Sequence, residues 1–294
     1  MMSKEFLICI DSDGCVFDNM ELKHKECFCP ATVNVWNLQS VSRYAREAAE
    51  YVNLYSTTRG INRYPGIILT LQLLADRKEA KERGYKCPDL SSLDRWIHET
   101  NALSISALEK YIDQLDEKDE ILETTLRWSK EVDANIAHIV RGAAHFPNVE
   151  DTLKILSGFA DIVIVSATPR EAILREWEEH DLLKYVTYVC GQEDGSKAEC
   201  IRKAVSGIYR QQEEKTAYDK DRVVMIGDAM GDYQAASDNG VLFYPIIPNK
   251  ENESWRELEE QVSEEIEQKT YKGKNMEKYL SEFDQALLKK PAWA

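Results

Sequence analysis

The sequence predicts an α/β protein with a doubly wound parallel sheet and an inserted α-helical domain. Short apolar runs alternate with helical segments over residues 145–245, as in parallel strands joined by crossover helices. One further apolar run stands near the amino terminus, at residues 6–10. Between these regions the apolar spacing is mainly helical. Helices between the first strand and the rest of a sheet indicate an insertion into one fold.

The first strand, residues 6–10, ends on two acids. Its residues are all apolar, as expected for a central strand covered on both faces. Asp11 and Asp13 follow at its carboxyl end, where open α/β sheets bind ligands. Because neighbouring carboxylates repel each other unless a cation or a shared proton relieves them, the pair indicates a metal site. Taken alone, the segment also fits an ordinary Asp-rich turn.

A second pair of acids follows another predicted strand, at residues 222–226, and a glycine. Asp228 comes directly after this glycine, and Asp232 lies where a helix is expected to begin. Two more polar residues stand in the intervening region: Ser166 after a predicted strand at 161–165, and Lys197 at a predicted helix start. The order is therefore Asp-x-Asp, Ser, Lys and Asp-x-x-x-Asp. Each group lies at the end of a predicted strand or in the loop beyond it.

This set of motifs resembles the haloacid dehalogenase superfamily, over residues 5–18 and about 145–245. The resemblance implies a phosphoryl-transfer enzyme with a Rossmann-like core and a mobile helical cap. It implies that Asp11 attacks phosphorus and forms an aspartyl-phosphate. It also implies a Mg²⁺ cofactor held by Asp11, the Asp13 backbone carbonyl and Asp228. Asp232 would hold the metal through water or steady its ligands.

The same resemblance implies roles for the remaining motif residues. Asp13 would protonate the leaving oxygen and then activate water, as general acid and then general base. Ser166 and nearby backbone amides, including that of Ala167, would bind phosphate oxygens. Lys197 would neutralise charge on the nucleophile and the phosphoryl group. An acid at position 13 is typical of phosphatases and phosphomutases, and relatives that cleave carbon–halogen or carbon–phosphorus bonds generally lack it.

One residue of the first motif departs from the family pattern. Cys15 stands where Thr or Val is common. We expect a small buried side chain there, and a reactive thiol is the alternative.

Composition narrows the possible partners. The chain has 294 residues and a net charge of −15, which argues against nucleic acid or an anionic membrane as partner. The family resemblance implies a small phosphorylated molecule as substrate. Seven cysteines without a Cys-x-x-Cys pair indicate reduced thiols and a cytoplasmic protein. No signal peptide or transmembrane run is evident in the sequence, and the oligomeric state is left open.

The predicted domains follow from these segments. Residues 1–18 and 145–248 should form the core, and residues 19–144 the cap. Residues 249–294 should form a helical extension packed on the core. Within the cap, residues 19–30 suggest a hairpin flap that includes Cys27 and Cys29. Helices are predicted at 41–55, 64–83, 90–99, 106–115 and 120–140.

The cap should select the substrate. The segment 55–64 is rich in hydrogen-bond donors, and Arg59 and Arg63 are its candidate substrate-binding residues. A solvated connection between helices is the alternative interpretation. The predicted function is a Mg²⁺-dependent phosphatase of small organic phosphate monoesters. A sugar-phosphate phosphomutase with the same intermediate remains possible, as does a non-catalytic ligand-binding protein on the same fold.

Overall fold

The computed structural model describes residues 4–210 and 216–294, and the chain divides into two compact units. The sheet unit comprises Met1–Asp18 and Ala144–Leu287. The helical unit comprises Asn19–Ala143 and Leu288–Ala294. The inserted segment thus forms a unit of its own.

Within the described residues, five strands form one parallel sheet in the order β3-β2-β1-β4-β5. The order reverses at β1, which pairs with β2 on one side and β4 on the other. This is the doubly wound α/β architecture that the sequence predicts. The strands are β1 Phe6–Ile10, β2 Ala160–Val165, β3 Tyr188–Cys190, β4 Val223–Gly227 and β5 Leu242–Pro245.

Both faces of the sheet are covered. Phe6, Ile8 and Ile10 of β1 pack in one apolar cluster, and Leu7 and Cys9 pack in another. Successive side chains of a strand point to opposite faces, so an uninterrupted apolar strand fits a sheet with a core on each side. This explains why β1 shows no polar alternation.

The helical unit is an α-helical bundle around its own apolar core, which includes Tyr64, Trp96 and Trp128. Side-chain caps fix some helix starts: Asn62 accepts a hydrogen bond from the Tyr64 amide, and Asp119 accepts one from the Leu122 amide. Its helices are α1 Met20–Leu22, α2 Cys29–Val35, α3 Ser42–Glu50, α4 Arg63–Asp76, α5 Lys78–Glu82, α6 Ser91–Glu99, α7 Ile105–Ile112 and α8 Glu120–Ile139.

Two predictions for this unit are wrong. The expected hairpin flap is helical: α1 continues through a π-helical turn, Lys23–Phe28, into α2. Cys27, Ala31 and Val35 are buried there at helical spacing. The expected helix at 64–83 is broken at Arg77, whose backbone is extended. The Arg77 guanidinium lies 4.6 Å from the centroid of the Tyr44 ring, a tertiary contact without a local sequence pattern.

The sheet unit contains the remaining helices. They include the predicted helices after Ser166, Lys197 and Asp228. The acidic segment after residue 248 is also helical, and Trp255, Leu258 and Val262 join one core cluster of this unit. The helices are α9 Val149–Phe159, α10 Arg170–Glu179, α11 Lys197–Val205, α12 Met230–Asn239, α13 Glu251–Glu257, α14 Ser263–Glu267 and α15 Lys274–Ala286.

The carboxyl-terminal extension differs from its predicted bounds. Only its part up to Leu287 belongs to the sheet unit, and Leu288–Ala294 belong to the helical unit. The Leu288 amide donates to the Tyr55 carbonyl at 2.8 Å, and the Trp293 ring centroid lies 4.4 Å from the Arg77 guanidinium. A backbone pairing and a cation–π contact therefore hold this short tail.

Within the residues that the structure describes, no helix combines the length and the apolar character needed to cross a membrane.

Candidate active site

The site lies at the carboxyl ends of the two central strands. Asp11 directly follows β1, and Asp228 directly follows β4. The Asp11 amide donates to the Ile226 carbonyl at 3.0 Å, so the two strand ends stay paired up to the point where the acids begin. Parallel strands ending at one sheet edge bring together residues more than 200 positions apart.

Three carboxylates form a buried cluster at this edge. One oxygen each from Asp11, Asp228 and Asp232 lies within 4.8 Å of the others, and the three residues are at most 5% exposed. Asp232 lies on the first turn of α12, close against β4. A Cβ at Gly227 would lie 2.4 Å from the Asp232 carboxyl carbon, so the absence of a side chain at Gly227 makes room for this acid.

Lys197 lies between two of these acids. Its Nζ is 2.6 Å from Asp11 Oδ2 and 2.6 Å from Asp232 Oδ1. The lysine is the first residue of α11, whose start is fixed by a reciprocal cap between Ser196 and Glu199. The Lys197 ammonium contacts two of the three carboxylates, and carboxylates this close together repel one another. An all-oxygen set of carboxylates fits a hard divalent cation, which would relieve that repulsion.

The electrostatics of the cluster reflect its burial. Burial raises the pKa of the Asp11 carboxyl to about 6, although the Lys197 ammonium opposes the shift. Burial also raises the pKa of Asp232, with Lys197 opposing and Asp228 reinforcing this effect. For Lys197 burial disfavours the charged form, but the two neighbouring carboxylates outweigh it and raise the pKa of the ammonium group. The lysine is therefore held as a cation.

Asp13 lies outside the cluster of three carboxylates. It sits in a tight turn in which the amides of Val16 and Phe17 both donate to the Ser12 carbonyl. Its Oδ2 accepts a hydrogen bond from Thr168 Oγ1 at 2.9 Å. Asp13 is thus oriented separately from the acids that face Lys197. Its roles in proton transfer and, through its carbonyl, in metal binding stay predictions.

Ser166 and Ala167 form the loop that follows β2. The Ser166 amide donates to the Cys190 carbonyl at 3.1 Å, and its Oγ accepts from the Thr168 amide at 3.3 Å. Ser166 is buried and Ala167 is exposed. The hydrogen bonds hold the loop in one conformation, and its phosphate-binding role stays a prediction.

Sequence reasoning missed some residues that support this edge. Thr168 is one, and its place two residues after Ser166 is the only signal that could have found it. Trp177 is another: its Nε1 donates to Ser12 Oγ at 3.0 Å inside the protein. Trp255 Nε1 likewise donates to the Cys15 carbonyl at 2.8 Å. These contacts link distant parts of the chain, and no local pattern marks them.

Cys15 is a buried thiol rather than an exposed one. Its side chain is fully covered, and its Sγ lies 3.7 Å from the Ile226 carbonyl. Burial and the surrounding carboxylates, led by Asp228, raise the pKa of this thiol. A protonated, buried thiol is a poor nucleophile, so the structure favours the packing interpretation.

The structure places the two predicted cap arginines among contacts of the helical unit. Arg59 Nη1 donates to the Leu54 carbonyl at 2.9 Å, and the residue is buried. Arg63 Nη1 donates to the Ser129 carbonyl and hydroxyl at 3.2 and 3.0 Å, and lies 2.7 Å from Asp133 Oδ1. These contacts favour a role in packing the helices. Substrate binding by either arginine stays a prediction.

Comparison with solved structures gives remote matches. A haloacid dehalogenase-like family protein of Streptococcus pneumoniae is 15% identical, with 85% of this chain and 90% of that chain covered and a TM-score of 0.40. A protein of Lactobacillus delbrueckii described as a phosphoglycolate phosphatase is 15% identical, with 82% and 85% covered and a TM-score of 0.48. A Thermotoga maritima protein described as a β-phosphoglucomutase is 16% identical, with 82% and 84% covered and a TM-score of 0.39.

The family itself is shown by a family model. None of the curated proteins compared with the chain matches it. The model of the haloacid dehalogenase-like hydrolases matches residues 7–240, a span that includes the acids after β1 and β4, Ser166 and Lys197. This is well over half of the 294 residues. The chain therefore belongs to the haloacid dehalogenase-like hydrolase family.

Proposed function

We propose that the protein is a Mg²⁺-dependent phosphatase that hydrolyses a small organic phosphate monoester. The observation that carries the proposal is the buried cluster of Asp11, Asp228 and Asp232 with Lys197 between two of its members. A phosphate monoester is an anion, and a carboxylate nucleophile would repel it in a site without positive charge. Lys197 and a cation held by the acids supply that charge.

Each side chain has a role in the proposed reaction. Asp11 attacks phosphorus and forms an aspartyl-phosphate while the bond from phosphorus to the ester oxygen breaks. Asp13 gives its proton to the departing oxygen. It then takes a proton from water, which attacks phosphorus, releases inorganic phosphate and restores Asp11. Thr168 orients Asp13 through the hydrogen bond to Oδ2.

The other groups hold the phosphoryl group and the metal. Ser166 and the Ala167 amide bind phosphate oxygens, and Lys197 neutralises charge next to the nucleophile. Asp11, Asp228 and the Asp13 carbonyl would hold Mg²⁺, with Asp232 steadying the site. When bound, this cation neutralises phosphate charge and so lowers the electrostatic barrier to attack by a carboxylate.

The test is hydrolysis of p-nitrophenyl phosphate by the purified protein, followed by a panel of sugar, nucleotide and carboxylic-acid phosphates. We expect release of inorganic phosphate with Mg²⁺ and its loss with a chelator. Activity that survives the chelator would contradict the metal dependence. Conversion of a sugar phosphate to its isomer without phosphate release would indicate the mutase, and no reaction across the panel would indicate a non-catalytic protein.

A further inference from the structure

An arginine–aspartate pair ties together two loops of the sheet unit. Arg170 is the first residue of α10, after the loop that follows β2. Asp194 ends a short helical turn, Gln192–Asp194, after β3. Arg170 Nη2 lies 2.5 Å from Asp194 Oδ1 and 2.6 Å from Oδ2. The charged hydrogen bonds thus connect the start of one helix to the turn that leads into the next, α11.

Other contacts fix both partners of this pair. Asp194 Oδ2 also accepts from the Gly191 amide at 2.8 Å, and the Asp194 carbonyl accepts from Lys203 Nζ at 2.6 Å. The Arg170 guanidinium lies 5.0 Å from the centroid of the Tyr188 ring and donates to the Tyr188 hydroxyl at 3.0 Å. An arginine held on several sides loses less freedom per contact than a mobile surface one.

The backbones of the two loops also approach closely. A Cβ at Gly191 would lie 2.6 Å from the Arg170 amide nitrogen. The Gln192 amide donates to the Thr168 carbonyl at 3.0 Å, and the Arg170 amide donates to Glu193 Oε2 at 3.0 Å. These contacts therefore hold the two loops in a fixed position relative to each other, and the Arg170–Asp194 ion pair lies beside them.

Both loops lead to residues of the candidate active site. Ser166 and Thr168 precede Arg170 by a few positions, and Lys197 follows Asp194 by three. The Lys197 ammonium must reach two carboxylates at 2.6 Å each. A shift of the start of α11 would move this group relative to both acids. Misplacement of about 1 Å can lower a reaction rate up to a hundredfold.

We propose that Arg170 and Asp194 are positioning residues for Lys197. The pair fixes the turn before α11, and this turn fixes the lysine between Asp11 and Asp232. The kinetic part of this inference rests on the proposed phosphatase activity. Neither residue contacts the carboxylate cluster, so their effect on the reaction is indirect.

The pair is partly exposed, with 35% of the Arg170 side chain and 17% of the Asp194 side chain accessible. Partly exposed ion pairs contribute little to global stability. Loss of the pair should therefore leave the protein folded while it loosens one turn. This separates a positioning role from a general structural one.

The experiment compares Arg170→Gln and Asp194→Asn with the parent protein, using p-nitrophenyl phosphate and Mg²⁺. We expect kcat to fall about tenfold in each variant, with a melting temperature within about 2 °C of the parent. Arg170→Lys, which keeps the charge, should recover part of the loss. Lys184→Gln is the matched control, because it breaks partly exposed pairs with Glu150 and Asp181 in the same unit. It should leave kcat unchanged.

A second measurement does not depend on activity. Hydrogen–deuterium exchange should quicken over residues 191–200 in Arg170→Gln, with β1 and β4 unchanged. If the parent hydrolyses no phosphate ester, the proposed function fails, and this measurement still tests the contact. Unchanged exchange over 191–200 would overturn the proposal. So would faster exchange there with kcat equal to that of the parent.

Discussion

Each unit contains a partly buried cation, and the two cations have different partners. In the sheet unit Lys197 lies between Asp11 and Asp232, two acids that repel each other without it. In the helical unit Arg63 lies 2.7 Å from one carboxylate, Asp133 Oδ1, and also donates to the carbonyl and the hydroxyl of Ser129. Its guanidinium lies 5.4 Å from the centroid of the Phe28 ring.

This difference in partners distinguishes a cation of a reactive site from a cation that packs helices together. Carbonyls, hydroxyls and aromatic rings satisfy a cation without storing repulsion. A cluster of buried acids is unfavourable in the absence of a ligand and becomes favourable when a cation binds. Burial of a charged residue is therefore a weak sign of function by itself. The groups that contact the charged residue decide whether it is interpreted as functional or as structural.

The largest effect is expected for Asp11→Asn. The amide has the shape of the carboxyl group but cannot form the aspartyl-phosphate, so kcat should fall at least about a thousandfold. Phosphate release and circular dichroism check the activity and the fold together. Arg63→Gln is the comparison from the helical unit. Full activity of folded Asp11→Asn would remove the nucleophile from the mechanism.

Most substitutions of buried residues lower the free energy of unfolding, but Asp228→Asn should raise it. Without added metal, loss of one charge from the cluster should raise the free energy of unfolding by about 1 kcal/mol. Mg²⁺ should stabilise the parent more than it stabilises the variant. Urea unfolding with and without Mg²⁺ measures both effects.

The gain in the free energy of unfolding of Asp228→Asn over the parent should also depend on pH. Burial raises the pKa of Asp11 to about 6, and burial and the Asp228 charge raise the pKa of Asp232. Lower pH therefore protonates the cluster of the folded parent and relieves the same repulsion. The difference between the two proteins should shrink as the pH falls from 7 to 5. A variant that is less stable than the metal-free parent at pH 7 would show that repulsion does not dominate the cluster.

Arg63→Gln tests the packing interpretation of the helical unit. Loss of the contacts with Ser129 and Asp133 should lower the free energy of unfolding by about 1–2 kcal/mol. Asp133→Asn is the matched control, because it weakens the ion pair but keeps the arginine, and it should cost less. If KM rises while stability is unchanged, substrate binding by Arg63 is favoured instead.

A small effect, of the same size as that of Asp228→Asn, is expected in the carboxyl-terminal tail. Trp293→Ala removes the ring next to Arg77 and should lower the free energy of unfolding by about 1 kcal/mol. Exchange of the backbone amides near Tyr55 and Leu288 should quicken, since the tail loses its aromatic anchor. Trp293→Phe keeps a ring and should lose less. Equal stability of all three proteins would show that the backbone pairing alone holds the tail.

The parallel sheet and the acids at its edge could be predicted from the amino-acid sequence. Apolar strands that end abruptly on Asp11 and Asp228 can be recognised locally, and strand direction then places both acids at one edge. The order of Asp11, Ser166, Lys197 and Asp228 identified the family, which the family model confirms. These features depend on residues close together in the chain or on the order of elements along it.

The contacts between residues far apart in the chain became apparent only in the folded structure. Thr168 and Asp13 are 155 positions apart, and Trp177 and Ser12 are 165 apart. The break at Arg77 and the return of the tail at Leu288 likewise depend on partners from other parts of the helical unit. Such contacts are fixed by how the elements pack, and a local sequence window contains only one of the two partners.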